Sequence, residues 1–244
     1  ALDYENFIEN YVQQYEIVKH QRDTAKDEGI TSLEKYKLQP NSMQVGFITN
    51  LKKILALGEK RALLISATGT GKTYASAFAM RELGFKRVLF LVHRNQLAKQ
   101  AKRSYEKVFN KKVTMGIVGA GNHDYDADYV FATRDTLWRE EHLHHYKPTD
   151  FDCIILDEAH HSAADTYQRI MNYFTPKLWL GMTATPDKRD DNIEGRNIYE
   201  IFHYQIAYEI RLQQAMEENM LCPFHYFGIS DLSMIGDGKG RNKT

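Results

Sequence analysis

The sequence predicts an α/β fold, a mostly parallel sheet with helices packed on its faces. Three observations predict it. The apolar runs Arg87–Val92, Cys153–Leu156 and Lys177–Met182 are continuous rather than alternating, as strands covered on both faces must be. Segments of helical length, about 10–15 residues, separate such runs, the pattern that specifies parallel strands joined by crossover helices. One more apolar run, Arg61–Ile65, leads directly into Ser66-Ala67-Thr68-Gly69-Thr70-Gly71-Lys72-Thr73, and a helical pattern, Tyr74 to Leu83, follows at once.

That strand, loop and helix form a cradle for an anion. Small loop residues let backbone N–H groups turn toward a phosphate, and the new helix adds its unpaired N–H groups and positive dipole end. In the pattern G-x-x-x-x-G-K-[ST], the lysine reaches the β- and γ-phosphates and the hydroxyl sits on Mg²⁺. Here those residues are Lys72 and Thr73, with Thr68, Gly69, Thr70 and Gly71 lining the loop. Serine stands at position 66, where the strict pattern has glycine.

Composition narrows the alternatives. The 244 residues suffice for one large domain, and 43% of them are hydrophobic. The 32 basic and 32 acidic residues balance, so any nucleic-acid contact must come from local patches rather than from a net basic field. Two cysteines, Cys153 and Cys222, exclude a disulfide framework and a cysteine zinc site. A reduced, intracellular compartment fits this usage, and a cytoplasmic location is expected. No run approaches the ~18 apolar residues of a membrane span, and no partner membrane is expected.

In chain order, residues 2–28 read as an amphipathic helix, with Phe7, Ile8, Tyr11, Val12, Tyr15 and Val18 at three- and four-residue steps. The chain begins inside that pattern, as a piece of a longer protein would. Residues 1–32 are therefore expected to be a helical extension, 33–220 the main domain, and 221–244 the start of a linker or second domain. A helix is expected from Val45 to Leu57, stopped by Gly58. The segment Asn95 to Phe109 reads as a basic helix with Lys99, Lys102, Arg103 and Lys107, continuing to Lys111 and Lys112. A solvated face and a nucleic-acid contact both remain open for it. Strands are expected at 113–118 and 129–132, and a short helix from Thr133. His142, His144 and His145 have no acidic or cysteine partners at ligand spacing and read as exposed. A helix at 165–174, a charged loop at 187–197, a helix from Tyr204 to Asn219, a strand at 224–227 and a mobile tail complete the reading.

A phosphate cradle hydrolyses nothing without a carboxylate for the metal and a group for water. Asp157 and Glu158 stand at the end of strand 153–156, and in open parallel sheets ligands bind outside the carboxyl ends of the strands. Asp157 would hold Mg²⁺, through water, and Glu158 would position or deprotonate the attacking water. Arg94 and Thr133 likewise follow strands directly, at positions above the sheet where a phosphodiester backbone would lie.

The motifs Ser66–Thr73, Asp157-Glu158-Ala159-His160 and Thr183-Ala184-Thr185-Pro186, in this order, resemble those of the first RecA-like motor domain of superfamily 2 helicases and translocases. The likeness covers roughly residues 33–230 and is nearest to DEAH-type DNA translocases, including restriction-enzyme motor subunits and repair helicases. Asn197-Ile198-Tyr199-Glu200 and the stretch Pro223 to Ser230 are similar to a bacterial branch whose members carry a phospholipase-D-like nuclease module. No nuclease signature is present in these residues.

The resemblance implies ATP and Mg²⁺ as cofactors, duplex DNA as partner, and a second RecA-like domain in the same parent chain. It implies adenine recognition by Gln44, for which a helix-capping role is the alternative. Arg94, Leu97 and Gln100, and then Thr133 and Arg134, match motifs that lie along the nucleic-acid backbone. His160, Thr183, Ala184 and Thr185 match those that link the nucleotide and nucleic-acid sites. RNA unwinding and a clamp or sensor without translocation are the alternatives. Because the second domain supplies arginines to the γ-phosphate, the isolated segment is expected to hydrolyse ATP poorly.

Overall fold

The computed structural model describes residues 42–109, 113–162, 164–186 and 197–217. The expected helix at 2–28, the strand at 224–227, the tail, nearly all of the 187–197 loop, and the segments 1–32 and 221–244 lie outside the described residues, as do Lys111 and Lys112.

Eight strands form one sheet: β1 (Arg61–Ser66), β2 (Val88–Val92), β3 (Met115–Gly119), β4 (Asn122–His123), β5 (Tyr129–Thr133), β6 (Cys153–Asp157), β7 (Leu178–Thr183) and β8 (Ile206–Ile210). Their order is β4-β3-β5-β2-β6-β7-β1-β8. Every pairing is parallel except β3 with the two-residue β4. The inner strands β2, β5 and β7 are buried at every residue, which is why their sequences do not alternate.

Helices α1 (Ser42–Ala56), α2 (Lys72–Leu83) and α3 (Asn95–Phe109) cover one face. Phe47, Leu51, Phe78, Tyr105 and Phe109 pack there against Leu64, Phe90 and Phe131. The other face carries α4 (Arg134–Leu137), α5 (Glu140–Leu143), α6 (Asp165–Tyr173) and α7 (Ile198–Ile201). Tyr146, Phe151, Tyr167, Phe174 and Phe202 fill that side. The last helix is α8 (Leu212–Glu217). Gly181 of β7 has no room for a side chain, since a Cβ there would lie 2.5 Å from the Phe202 ring and 2.9 Å from Leu63.

Two expectations are corrected. The helix expected from Tyr204 to Asn219 is instead strand β8 followed by α8. β1 needs a neighbour on the side away from β7, and Ile206–Ile210 supplies it with Ala207 and Ile210 buried; tertiary pairing overrides a weak local preference. His142 is not exposed. It is buried in α5, with Nδ1 2.6 Å from the Tyr125 hydroxyl, while His144 and His145 stay at the surface.

Candidate nucleotide site

The register places the candidate residues in one row along the carboxyl end of the sheet. Ile65 of β1 pairs with Thr183 of β7, and Met182 pairs with Asp157 of β6. Leu156 pairs with Leu91 of β2, and Val92 pairs with Thr133 of β5. Read across the edge, the order is Thr133, then the β2 end leading to Arg94, then Asp157, Thr183 and the loop after Ser66. Adjacent strands lie about 4.8 Å apart, so Ser66 and Asp157, two strands apart, are separated by about 10 Å.

The loop is shaped for an anion. Gly69 and Gly71 both have φ of +91°, the left-handed conformation that glycine adopts without steric cost. Helix α2 starts from Gly71 with no side-chain cap and no acidic residue in its first turn. Its leading N–H groups therefore remain donors for a ligand. Ser66 is fully buried and its hydroxyl is hydrogen-bonded to that of Thr70, which also donates to the Ala67 carbonyl at 2.8 Å. The serine in place of glycine is thus accommodated by a polar partner. Thr68 and Gly69 are exposed at the loop tip. Gln44, buried near the start of α1, points Nε2 at the Gly71 carbonyl, 3.5 Å away.

Lys72 donates to the carbonyls of Ser66 at 2.9 Å and Ala67 at 3.3 Å. Burial lowers its pKa, while the charges of Glu158 and then Asp157 favour its protonated form. Burial and the neighbouring Glu158 push the Asp157 carboxyl up to about 6, against the opposing pull of Lys72 and of the Glu158 N–H, 3.1 Å from Oδ1. The ammonium and the two acids therefore share one field. Glu158 has φ of +52°, a strained conformation for a residue with a side chain and one that clusters at functional sites.

Next to these acids, His160 Nδ1 lies 3.0 Å from Thr183 Oγ1 and 3.3 Å from Glu158 Oε2. Thr183 Oγ1 also accepts from the Thr185 N–H at 3.1 Å. Glu158, His160, Thr183 and Thr185 thus form a continuous polar chain across the ends of β6 and β7, with Ala184 inside the turn.

Farther along the edge, Arg94 and Gln100 are exposed. Thr133 is buried and caps α4, its hydroxyl accepting from the Thr136 N–H at 3.2 Å. Arg134 lies over the Tyr167 ring, 5.5 Å from its centroid, and donates to Asp135 at 3.1 Å. Three features escaped the sequence reading: the Ser66–Thr70 hydroxyl pair, the Tyr167 platform, and a bond from Tyr105 on α3 to Ser76 on α2. A buried tyrosine at helical spacing reads as core, and nothing in the sequence says where its oxygen goes.

Residues 37–188 match the family described as "Type III restriction enzyme, res subunit". The chain is 28% identical over 195 residues to the Type I restriction enzyme EcoAI endonuclease subunit of Escherichia coli, covering 76% of this chain and 23% of that one. It is 28% identical over 160 residues to the DNA 3'-5' translocase XPB2 of Sulfurisphaera tokodaii, covering 65% and 34%. The fold resembles that of a nuclease-deletion mutant of the Type ISP restriction-modification enzyme LlaGI, in complex with a DNA substrate mimic, with a TM-score of 0.57, 22% identity, and 75% of this chain against 21% of that one. The chain thus spans about a third or less of the length of these relatives. With most of its length inside the match, from strand β1 through the Thr183–Pro186 turn, the chain belongs to the Type III restriction enzyme res-subunit family, and its fold is that of the RecA-like domain of superfamily 2 helicases.

Proposed function

We propose that this chain is the ATP-binding motor domain of an ATP-dependent DNA helicase or translocase of the bacterial cytoplasm. The observation that carries the reading is the shared field of Lys72, Asp157 and Glu158 at the ends of β1 and β6. A triphosphate-hydrolysing site requires a cation on the phosphates opposite a carboxylate for metal and a group for water. Family membership and the similarity to restriction-enzyme subunits and a DNA translocase support DNA as the track.

The residues present fit Mg-ATP. The Thr73 hydroxyl and the Asp157 carboxylate are hard oxygen donors, which suit Mg²⁺ with phosphate oxygens and water completing the shell. Among the described residues no group of three His, Cys, Asp or Glu side chains gathers to bind a metal; phosphate oxygens and water would complete the coordination of a bound Mg²⁺. When bound, the metal supplies charge neutralisation on the β- and γ-phosphates. Lys72 exchanges its carbonyl partners for phosphate oxygens. Thr68 to Thr73 present backbone N–H groups. Gln44 reads the adenine edge, and Glu158 orients water or takes its proton. His160, Thr183, Ala184 and Thr185 relay the state of Glu158 across the sheet end, and Arg94, Gln100, Thr133 and Arg134 mark the backbone-binding side. Phosphate contacts of this kind carry no base information.

A second RecA-like domain in the same parent chain, after roughly residue 220, would complete the γ-phosphate site, and a nuclease module is a further companion. Among the described residues no helix is long and apolar enough to cross a membrane. The test is ATP turnover by the parent chain titrated with duplex DNA and with RNA. DNA-stimulated turnover that Lys72→Ala abolishes supports the reading; stimulation by RNA alone, or none, refutes it. The isolated segment should bind ATP weakly and show little DNA-stimulated hydrolysis.

A further inference from the structure

Helices α2 and α3 pack against each other on one face of the sheet. Where they meet, two hydroxyls are enclosed in an aromatic core. The fully buried Tyr105 hydroxyl is 2.7 Å from Ser76 Oγ and donates to it. Ser76, also fully buried, donates to the Thr73 carbonyl at 2.9 Å. Around the Tyr105 ring stand Phe90, Phe109, Tyr129 and Phe131.

Packing alone does not require the phenolic oxygen, since phenylalanine offers the same ring. With the oxygen present, a partner is needed, because an unpaired buried hydroxyl is costly. The partner it has found is not local. It belongs to the helix that opens the phosphate loop, and the chain of donors ends on Thr73, the residue after Lys72. The other end of the chain is anchored in α3, which starts beside Arg94 and exposes Lys99, Gln100, Arg103 and Lys107. An apolar helix contact can slide by small amounts at little cost, whereas a buried hydrogen bond either holds its geometry or is lost. Arg81 near the far end of α2 also reaches the Val108 carbonyl, at 3.4 Å, but the Tyr105–Ser76 bond is the one that continues, through Ser76, to the turn carrying Thr73, and each bond of that chain polarises the next.

We infer that Tyr105 and Ser76 are positioning residues that couple the exposed basic face of α3 to the turn carrying Lys72 and Thr73. Movement of α3 on engaging nucleic acid is transmitted through this chain to the phosphate loop. The inference rests on the proposed reading of α3 as backbone-binding and of the loop as nucleotide-binding.

Coupling of this kind is reciprocal and is read from binding as well as from turnover. The affinity of a fluorescent ATP analogue for the full parent chain is measured without and with saturating duplex DNA. In the wild type, DNA changes that affinity by about fivefold or more. Tyr105→Phe keeps the ring and loses the donor; the DNA-induced factor falls by about fivefold, toward one. Ser76→Ala cuts the chain at its middle with the same result, and the double variant loses no more than either single one, as members of one pathway must. Affinities for the analogue alone and for DNA alone shift less than about threefold, the size of one weak hydrogen bond. A Tyr105→Phe protein that retains the wild-type factor overturns the inference and leaves the motor reading standing. Equal losses of nucleotide affinity with and without DNA also overturn it, since they indicate packing only. A wild type in which duplex DNA neither binds nor changes nucleotide affinity sinks the motor reading itself. If Tyr105→Phe does not fold, Ser76→Ala decides.

Discussion

Asp157→Asn should stabilise this domain at neutral pH while disabling the proposed hydrolysis. Burial and the charge of Glu158 hold the Asp157 carboxyl near 6, against an ordinary 3.8, after Lys72 and the Glu158 N–H have pulled it down. The folded domain therefore holds that proton more tightly than the unfolded chain does. Ionising the group removes stability as pH rises from 3.8 to about 6, and the loss is complete above that. At about 1.4 kcal/mol per tenfold in the equilibrium, the full loss is about 3 kcal/mol. Partial solvent access to the residue screens some of this, leaving about 2 kcal/mol. Asparagine keeps the shape and cannot ionise. For a domain of this size, about 2 kcal/mol is roughly 4–8 °C in Tm. The assay is thermal unfolding of wild type and variant from pH 4 to 8, in the absence of nucleotide and divalent metal. The variant should match the wild type near pH 4, gain through pH 5 to 6, and hold a constant lead above that. A variant that is less stable at pH 7.5, or whose lead is the same at every pH, would refute the account of Asp157 as a carboxylate ionised at a cost.

Three further outcomes follow from the same geometry. Glu158→Gln removes the group proposed to act on water and leaves Lys72 in place, so turnover should fall by about 10²-fold or more while ATP binding survives, as steady-state kinetics and nucleotide titration will show. Gly181→Ala forces a methyl against Phe202 and Leu63, and chemical denaturation should register a loss of about 1–3 kcal/mol. Gln44→Ala should narrow the preference for ATP over other nucleoside triphosphates by about tenfold, one charge-neutral hydrogen-bonding edge; an unchanged preference would assign Gln44 to packing against Gly71 alone.

The parallel sheet was legible because strands such as β2, β5 and β7 are covered on both faces and so must be apolar throughout. The phosphate loop was legible because its spacing is dictated by backbone geometry: glycine at 69 and 71 permits the positive φ that the turn requires. β8 was not legible as a strand. Ile206 to Ile210 is a short edge segment with three of five residues at least partly exposed, and its local preference gives way to the unpaired side of β1. The burial of His142 escaped for a related reason, since its partner Tyr125 is 17 residues distant in sequence. Thr133 shows the limit on the side of function. Its position at the end of β5 was readable, but not that its hydroxyl turns inward to cap α4.

The residues proposed to act on phosphate are also those held least comfortably. Asp157 is ionised at a cost, Lys72 is partly desolvated, and Glu158 adopts a left-handed backbone that costs about 1–3 kcal/mol for a residue with a side chain. An isolated domain selected only for stability would have glycine at 158 and an uncharged residue at 157. Chance cannot easily place three such costs within one field at the carboxyl ends of β1 and β6, with only β7 between them. On the proposed reading their common remedy is a polyanion with a divalent cation: the anion would engage Lys72 and the N–H groups of α2, and the cation would relieve Asp157 of its like-charged neighbour. The instability of the site is thus itself an argument for its ligand, since binding energy is largest where the unliganded protein has most to gain.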